Sequence, residues 1–121
     1  MSNDLPVAFT RELRLLTAAQ YKYVFSDAQR FGNHCFTLLV RKNTTTHARL
    51  GLAIAKKSAK RAVDRNRIKR VIRESFRHLQ HDLPNIDVVI MCRNTAVGLS
   101  RKKMRKQLDH QWSYICRKMQ A

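Results

Sequence analysis

Six of the fourteen residues from Asp64 to Arg77 are cationic: Arg65, Arg67, Lys69, Arg70, Arg73 and Arg77. An arginine guanidinium presents planar, paired donors that can grip two phosphate oxygens at once. A cluster of this kind suits docking onto a polyanion. At the roughly 100° per residue of a helix, Ile68, Val71, Ile72, Ser75, Phe76 and Leu79 gather on one side. Asn66, Lys69, Arg70, Arg73 and Arg77 gather on another, with Arg65 at its edge. The first stripe predicts burial and the second a cationic ridge. A solvated helix face is the ordinary reading of a basic stripe. Here only Asp64 and Glu74 lie along the helix to pair with its cations, so most would repel one another without an external anion.

The rest of the chain carries the same sign. Lys and Arg number 25 against 8 Asp and Glu, a formal net charge of +17 over 121 residues. Self-repulsion of that size weakens a compact state unless an anion is bound. Nucleic acid is the leading partner, because neutralised phosphates release counterions and give strong, salt-sensitive binding. An acidic membrane surface is the weaker alternative. No apolar run reaches the ~18 residues that suggest a membrane span, and no secretory n-region with an h-region is present. Cys35, Cys92 and Cys116 are widely spaced, with no C-x-x-C or Cys/His ligand spacing. They predict buried free thiols in a reducing cytoplasm rather than a metal site.

The elements that must hold the ridge follow from periodicity. An apolar fraction of 44% in a chain of this length predicts one domain with a real core. Residues 1–8 read as a loose segment and 9–121 as a single domain, with Phe9 to Leu16 a strand-like or irregular lead-in. Thr17-Ala18-Ala19-Gln20 has the form of a capping box, which starts a helix near Thr17 that runs to about Asp27. Cys35 to Arg41 predicts a largely buried strand. Arg49 to Ala55 alternates, with Leu50, Leu52 and Ile54 on one face and Gly51, Ala53 and Ala55 leaving the other flat. A flat face admits close approach by a packed helix or by a ligand. The basic loop Lys56 to Arg61 leads into the arginine-rich helix at about 62–80. Ile86 to Cys92 predicts a β-branched buried strand. Ser100 caps a last helix whose apolar positions are Met104, Leu108, Trp112, Ile115 and Met119. The whole predicts an α+β arrangement, an α/β sandwich of helices on a small sheet.

Autonomous hydrolytic chemistry needs a base, a nucleophile or metal ligands, and stabilised developing charge. The eight acids are scattered, without the pairing of metal-binding carboxylates. His78 and His81 fall at the end of a cationic helix, a poor place to gather a metal. No glycine-rich phosphate loop is present. Charge without a catalytic constellation points to a binding subunit, with a lone nuclease or a small ribosomal-type RNA-binding protein as the other readings.

Arg65-Asn66-Arg67-Ile68-Lys69-Arg70, followed by Val71-Ile72-Arg73-Glu74-Ser75-Phe76-Arg77, resembles the Arg-Asn-Arg motif of the bacterial ribonuclease P protein component. Phe9 to Leu16 with Tyr21 and Phe25, Phe36 to Arg41, Arg49 to Leu52, Lys56-Lys57 and Asp87 to Ile90 follow in the family's order, so the resemblance spans about residues 9–116. It implies a four-stranded mixed sheet of the ribosomal protein S5 domain 2-like kind, with a left-handed crossover and a short extra strand near Ala28 to Phe31. It also implies a subunit that assists a catalytic RNA in removing the 5′ leader of precursor tRNA. Its partners would be that RNA and the precursor tRNA, with no membrane and no obligate protein partner. Mg²⁺ would be held mainly by RNA and substrate, with no catalytic or metal-binding residue on the protein. Arg65, Asn66, Arg67, Lys69, Arg70 and Arg73 would contact the RNA subunit. Tyr21 and Phe25 would line a leader cleft, where core packing is the competing reading; Leu39 stands where the family often has an aromatic. Arg11, Arg14, Lys56, Lys57 and Arg77 would add phosphate contacts.

Overall fold

The computed structural model describes residues 13–119; Arg11 and the 1–8 segment lie outside the described residues. Helix α1 covers Ala18–Ser26 and begins at the expected box. The Thr17 hydroxyl accepts from the Gln20 N–H at 3.2 Å, and the Gln20 carboxamide oxygen accepts from the Thr17 N–H at 3.1 Å. These bonds satisfy two N–H groups at the start of α1.

Four strands follow around the second helix: β1 Gln29–Gly32, β2 Phe36–Lys42, β3 Arg49–Leu52 and β4 Ile86–Cys92. They form one mixed sheet in the order β1-β2-β4-β3. β2 runs antiparallel to β1 and β4, while β3 runs parallel to β4. Parallel neighbours need a crossover, and helix α2, Ala62–Leu79, supplies it. A 3-10 turn over Asn94–Gly98 then leads to helix α3, Arg101–Met119.

The register sorts side chains onto two faces. Phe36, Leu38 and Val40 sit opposite Cys92, Ile90 and Val88, and Leu50 beside Val88. All are buried, together with Ile68, Ile72 and Phe76 of α2 and Met104, Leu108, Trp112 and Ile115 of α3. Each such side chain contributes about 1.5–3 kcal/mol of hydrophobic stabilisation. The opposite face holds a smaller cluster, where α1 lays Val24 with Leu15 against Val89. Arg41 fixes α1 there. Its guanidinium lies 3.7 Å from the centre of the Tyr23 ring and donates to the Tyr23 carbonyl at 2.7 Å.

The third strand is shorter than its alternation predicts. It ends at Leu52, although the Ala53 N–H still donates to the Ile90 carbonyl at 3.0 Å. Its outer edge is covered by the lead-in, where the Leu15 N–H donates to the Leu50 carbonyl at 2.9 Å. The Tyr21 hydroxyl accepts from the Leu52 N–H at 3.2 Å. An edge that is covered in this way offers fewer groups to a foreign strand.

Gly51 explains how Tyr21 reaches that edge. A Cβ at this position would stand 2.7 Å from Tyr21 Cε1 and 2.9 Å from Leu15 Cδ1. The flat face is therefore filled by an aromatic ring of α1. Gly51→Ala must push the ring or Leu15 aside, at a cost of about 1–3 kcal/mol for overpacking. The expected result is a lower melting temperature with Tyr21 displaced from Leu52, read as faster exchange of the Leu52 amide.

Candidate nucleic-acid interface

The amphipathic division of α2 holds as its spacing predicts. Ile68, Val71, Ile72, Ser75 and Phe76 are buried, while Asn66, Arg70 and Arg73 are exposed and Lys69 and Arg77 half-buried. No ion pair forms to Lys69, Arg70 or Arg73 among the described residues. The acids nearby are held by other cations: Asp64 by Arg61 at 4.0 Å, Glu74 by Arg105 at 3.6 Å, and Asp109 by Arg105 at 3.1 Å. The ridge keeps its charge because the carboxylates are held elsewhere.

Two of the six motif residues use their guanidinium groups differently. Arg65 donates to the carbonyls of Ala59 and Lys60, both at 2.9 Å. Arg67 forks to the carbonyls of Val97 and Leu99 at 2.7 and 2.9 Å. A carbonyl holds the donor without cancelling the charge. These two arginines tie the loop before α2 and the segment before α3 to the helix, and they leave Asn66, Lys69, Arg70 and Arg73 as its open polar row.

Two adjoining grooves run beside that row. Arg14, Asn66, Arg70, Arg73, Glu74 and Arg77 line one of about 410 Å³. Arg14 and Arg73 also border a second of about 460 Å³, with Leu15, Leu16, Tyr21, Leu50, Leu52 and Lys69. The structure thus brings Tyr21 into one groove with the α2 cations. Phe25, a turn further along α1, is 49% exposed, and Leu39 is half-buried beside Val89 in the small cluster. Tyr21 both packs on the sheet beside Gly51 and borders the groove. Lys56 and Lys57 are exposed in the turn before α2.

A buried charge pair escaped the sequence reading. Asp87 is fully buried and accepts from Arg49 Nε at 2.8 Å, Arg49 Nη2 at 2.7 Å and Asn43 Nδ2 at 2.8 Å. The bond to Asp87 pushes the Arg49 pKa up, against the opposing effect of desolvation. The pair is visible only once Arg49 and Asp87 are in register across β3 and β4. Cys35 and Cys92 are buried as expected, but Cys116 is only half-buried. It lies on α3 two residues beyond the exposed Tyr114, at the rim rather than the core-facing stripe. Burial pushes the thiols of Cys92 and Cys116 up.

No group of three His, Cys, Asp or Glu is placed to hold a metal among the described residues, and Asp64, Glu74, Asp87 and Asp109 are each committed to a guanidinium. No described helix is long and apolar enough to cross a membrane. What this arrangement can do is hold phosphates along α2 and present an aromatic edge next to them.

The fold is an α+β domain, a four-stranded mixed sheet with three helices and a cationic ridge along α2. The family model for Ribonuclease P matches residues 9–116. The ribonuclease P protein component of Aliivibrio fischeri is 50% identical over 109 residues, covering 90% of this chain and 93% of its own. The solved structure of the Staphylococcus aureus RNase P protein superposes with a TM-score of 0.79 at 25% identity, covering 86% of this chain and 97% of that one. The Thermotoga maritima RNase P protein gives 0.75 at 27% identity, covering 84% and 96%. The chain belongs to the ribonuclease P protein family.

Proposed function

We propose that this protein docks α2 on the catalytic RNA of ribonuclease P and holds the 5′ leader of precursor tRNA beside Tyr21, so that the RNA cuts the leader away. The observation that carries the reading is the row of Lys69, Arg70 and Arg73, free of ion pairs and sharing Arg73 and Arg14 with the groove that Tyr21 borders. Asn66 adds a neutral donor, while Arg65 and Arg67 add charge from the helix flank. Arg14, Lys56, Lys57 and Arg77 extend the phosphate-binding field. Stacking of unpaired bases on an aromatic tolerates any sequence and contributes about 1–3 kcal/mol per base, which suits a variable leader. Tyr21, Phe25 and Leu39 are the side chains assigned to that cleft. Hydrolysis belongs to the RNA subunit with Mg²⁺ held by RNA and substrate, in the cytoplasm where precursors arise; the protein positions.

Reconstitution tests this reading. The protein alone is expected to leave precursor tRNA uncut, and to raise cleavage by the family's RNA subunit most strongly at low Mg²⁺. Cutting by the protein alone would place the chemistry on the chain. Tight RNA binding without any effect on cleavage would leave a general RNA-binding protein.

A further inference from the structure

β1, the outer strand opposite β3, borders a third groove, apart from the two beside α2. We propose that this groove, between β1 and the C-terminal half of α3, binds an unpaired nucleobase of single-stranded RNA by stacking on Tyr114. The proposal rests on the reading that the protein works on RNA, but it concerns a separate surface, since β1 and β3 are the two outer strands of the sheet.

The groove measures about 410 Å³, room for a nucleoside, and both Phe31 and Tyr114 border it. Tyr114 is 42% exposed and lies outside the buried core. Phe31 meets it edge-on, with ring centres 5.8 Å apart at 74°, which steadies the tyrosine. Arg117 and Lys118 lie 5.8 and 5.7 Å from the Tyr114 ring centre. Arg30 lines the groove from the strand. Aromatic platform and cations together are the pairing that single-stranded nucleic acid selects: bases stack while phosphates meet charge.

A second observation points the same way. Gln111, only 7% exposed, is one of the residues that border this groove, and its buried carboxamide oxygen has no hydrogen-bond partner. Its nitrogen faces the carbonyls of Phe31 and Phe36 at 3.5 Å, which fixes the orientation of the amide. A buried acceptor without a donor is costly, so this wall of the groove holds an unmet hydrogen-bonding group. The other occupant for an open strand edge is a β-strand of a second copy. Two chains at +17 each repel strongly, whereas RNA is attracted.

The test uses the full chain in an Arg70→Ala/Arg73→Ala background, so that α2 contributes little. Hexaadenylate and an abasic ribose-phosphate of equal length are compared by fluorescence anisotropy, with a hexaadenylate that carries one 8-azidoadenosine used for photocrosslinking to map the contact. Hexaadenylate is expected to bind more tightly than the abasic strand and to crosslink near Tyr114. Tyr114→Ala should weaken it by about five- to 150-fold, the effect of losing one base stack, and Tyr114→Phe should restore it. Melting temperatures should stay together across the three proteins. Equal binding of the two strands, or no effect of Tyr114→Ala, overturns the proposal, as does a dimer in sedimentation that Tyr114→Ala dissolves. Failure of the α2 reading shows separately, as catalytic-RNA affinity that Arg70→Ala/Arg73→Ala leaves untouched.

Discussion

Replacing Arg70 and Arg73 together with alanine is expected to weaken binding to the ribonuclease P RNA by about two to four orders of magnitude. Each guanidinium that bonds a phosphate contributes about 1.5–3 kcal/mol, and two such losses give that range. The dependence on salt is the sharper signature. Each phosphate contact removed should flatten the slope of log affinity against log salt by about 0.7–0.9. The double variant should therefore lose about 1.4–1.8 of slope. Stability should stay within about 0.5 kcal/mol per site, the range for surface changes, because both side chains are exposed and unpaired. Less self-repulsion should even favour the folded chain. Filter binding at four salt concentrations, beside thermal melts, checks both parts. An unchanged slope with a collapsed melting temperature would mean that these arginines hold the fold together and that RNA sits elsewhere.

The sorting of α2 into core and ridge was legible because an 18-residue helix repeats its pattern five times over. The burial of Met104, Leu108, Trp112, Ile115 and Met119 on α3 was legible for the same reason. β1 was not readable from its residues. Gln29–Gly32 has one large apolar side chain, and only the family resemblance placed a strand there. Its pairing with β2 comes from main-chain bonds, which no side-chain pattern records. The forks of Arg65 and Arg67 were hidden for a similar reason. Their targets are carbonyls, and those of Arg67 lie 30 and 32 residues away. The family resemblance implied RNA contacts at six positions, Asn66 among them, and the helix also uses Arg65 and Arg67 to fix its surroundings. Charge alone could not tell these arginines from Arg70 and Arg73. The Arg105–Asp109 pair, spaced i,i+4, was open to sequence reasoning. It bears on the ridge, because Arg105 also takes Glu74 and so spares the α2 arginines.

Trp112→Ala should be the most damaging single change in the described fold, and the one that best couples stability to RNA. Trp112 is fully buried between α3 and α2, its ring centre 5.9 Å from that of Phe76. Its indole N–H donates to Ser75 Oγ at 2.9 Å, and Ser75 in turn donates to Asp109 at 2.7 Å. Truncation opens a cavity and removes the donor from a buried hydroxyl, at about 3–5 kcal/mol. Single domains are stable by only about 5–15 kcal/mol, and a net charge of +17 takes from that margin. The variant is thus expected to be largely unfolded near 37 °C in low salt. A ligand bound only by the folded chain restores stability, by about 4 kcal/mol at a thousandfold excess over its dissociation constant. Adding the catalytic RNA should therefore bring back part of the helical signal at about 222 nm of Trp112→Ala, and more of it in Trp112→Phe, which keeps most of the packing. Combining either change with Arg70→Ala/Arg73→Ala should abolish the recovery. Rescue that persists without those two arginines would show that RNA stabilises the domain through another surface, and the ridge on α2 would lose its place as the docking face.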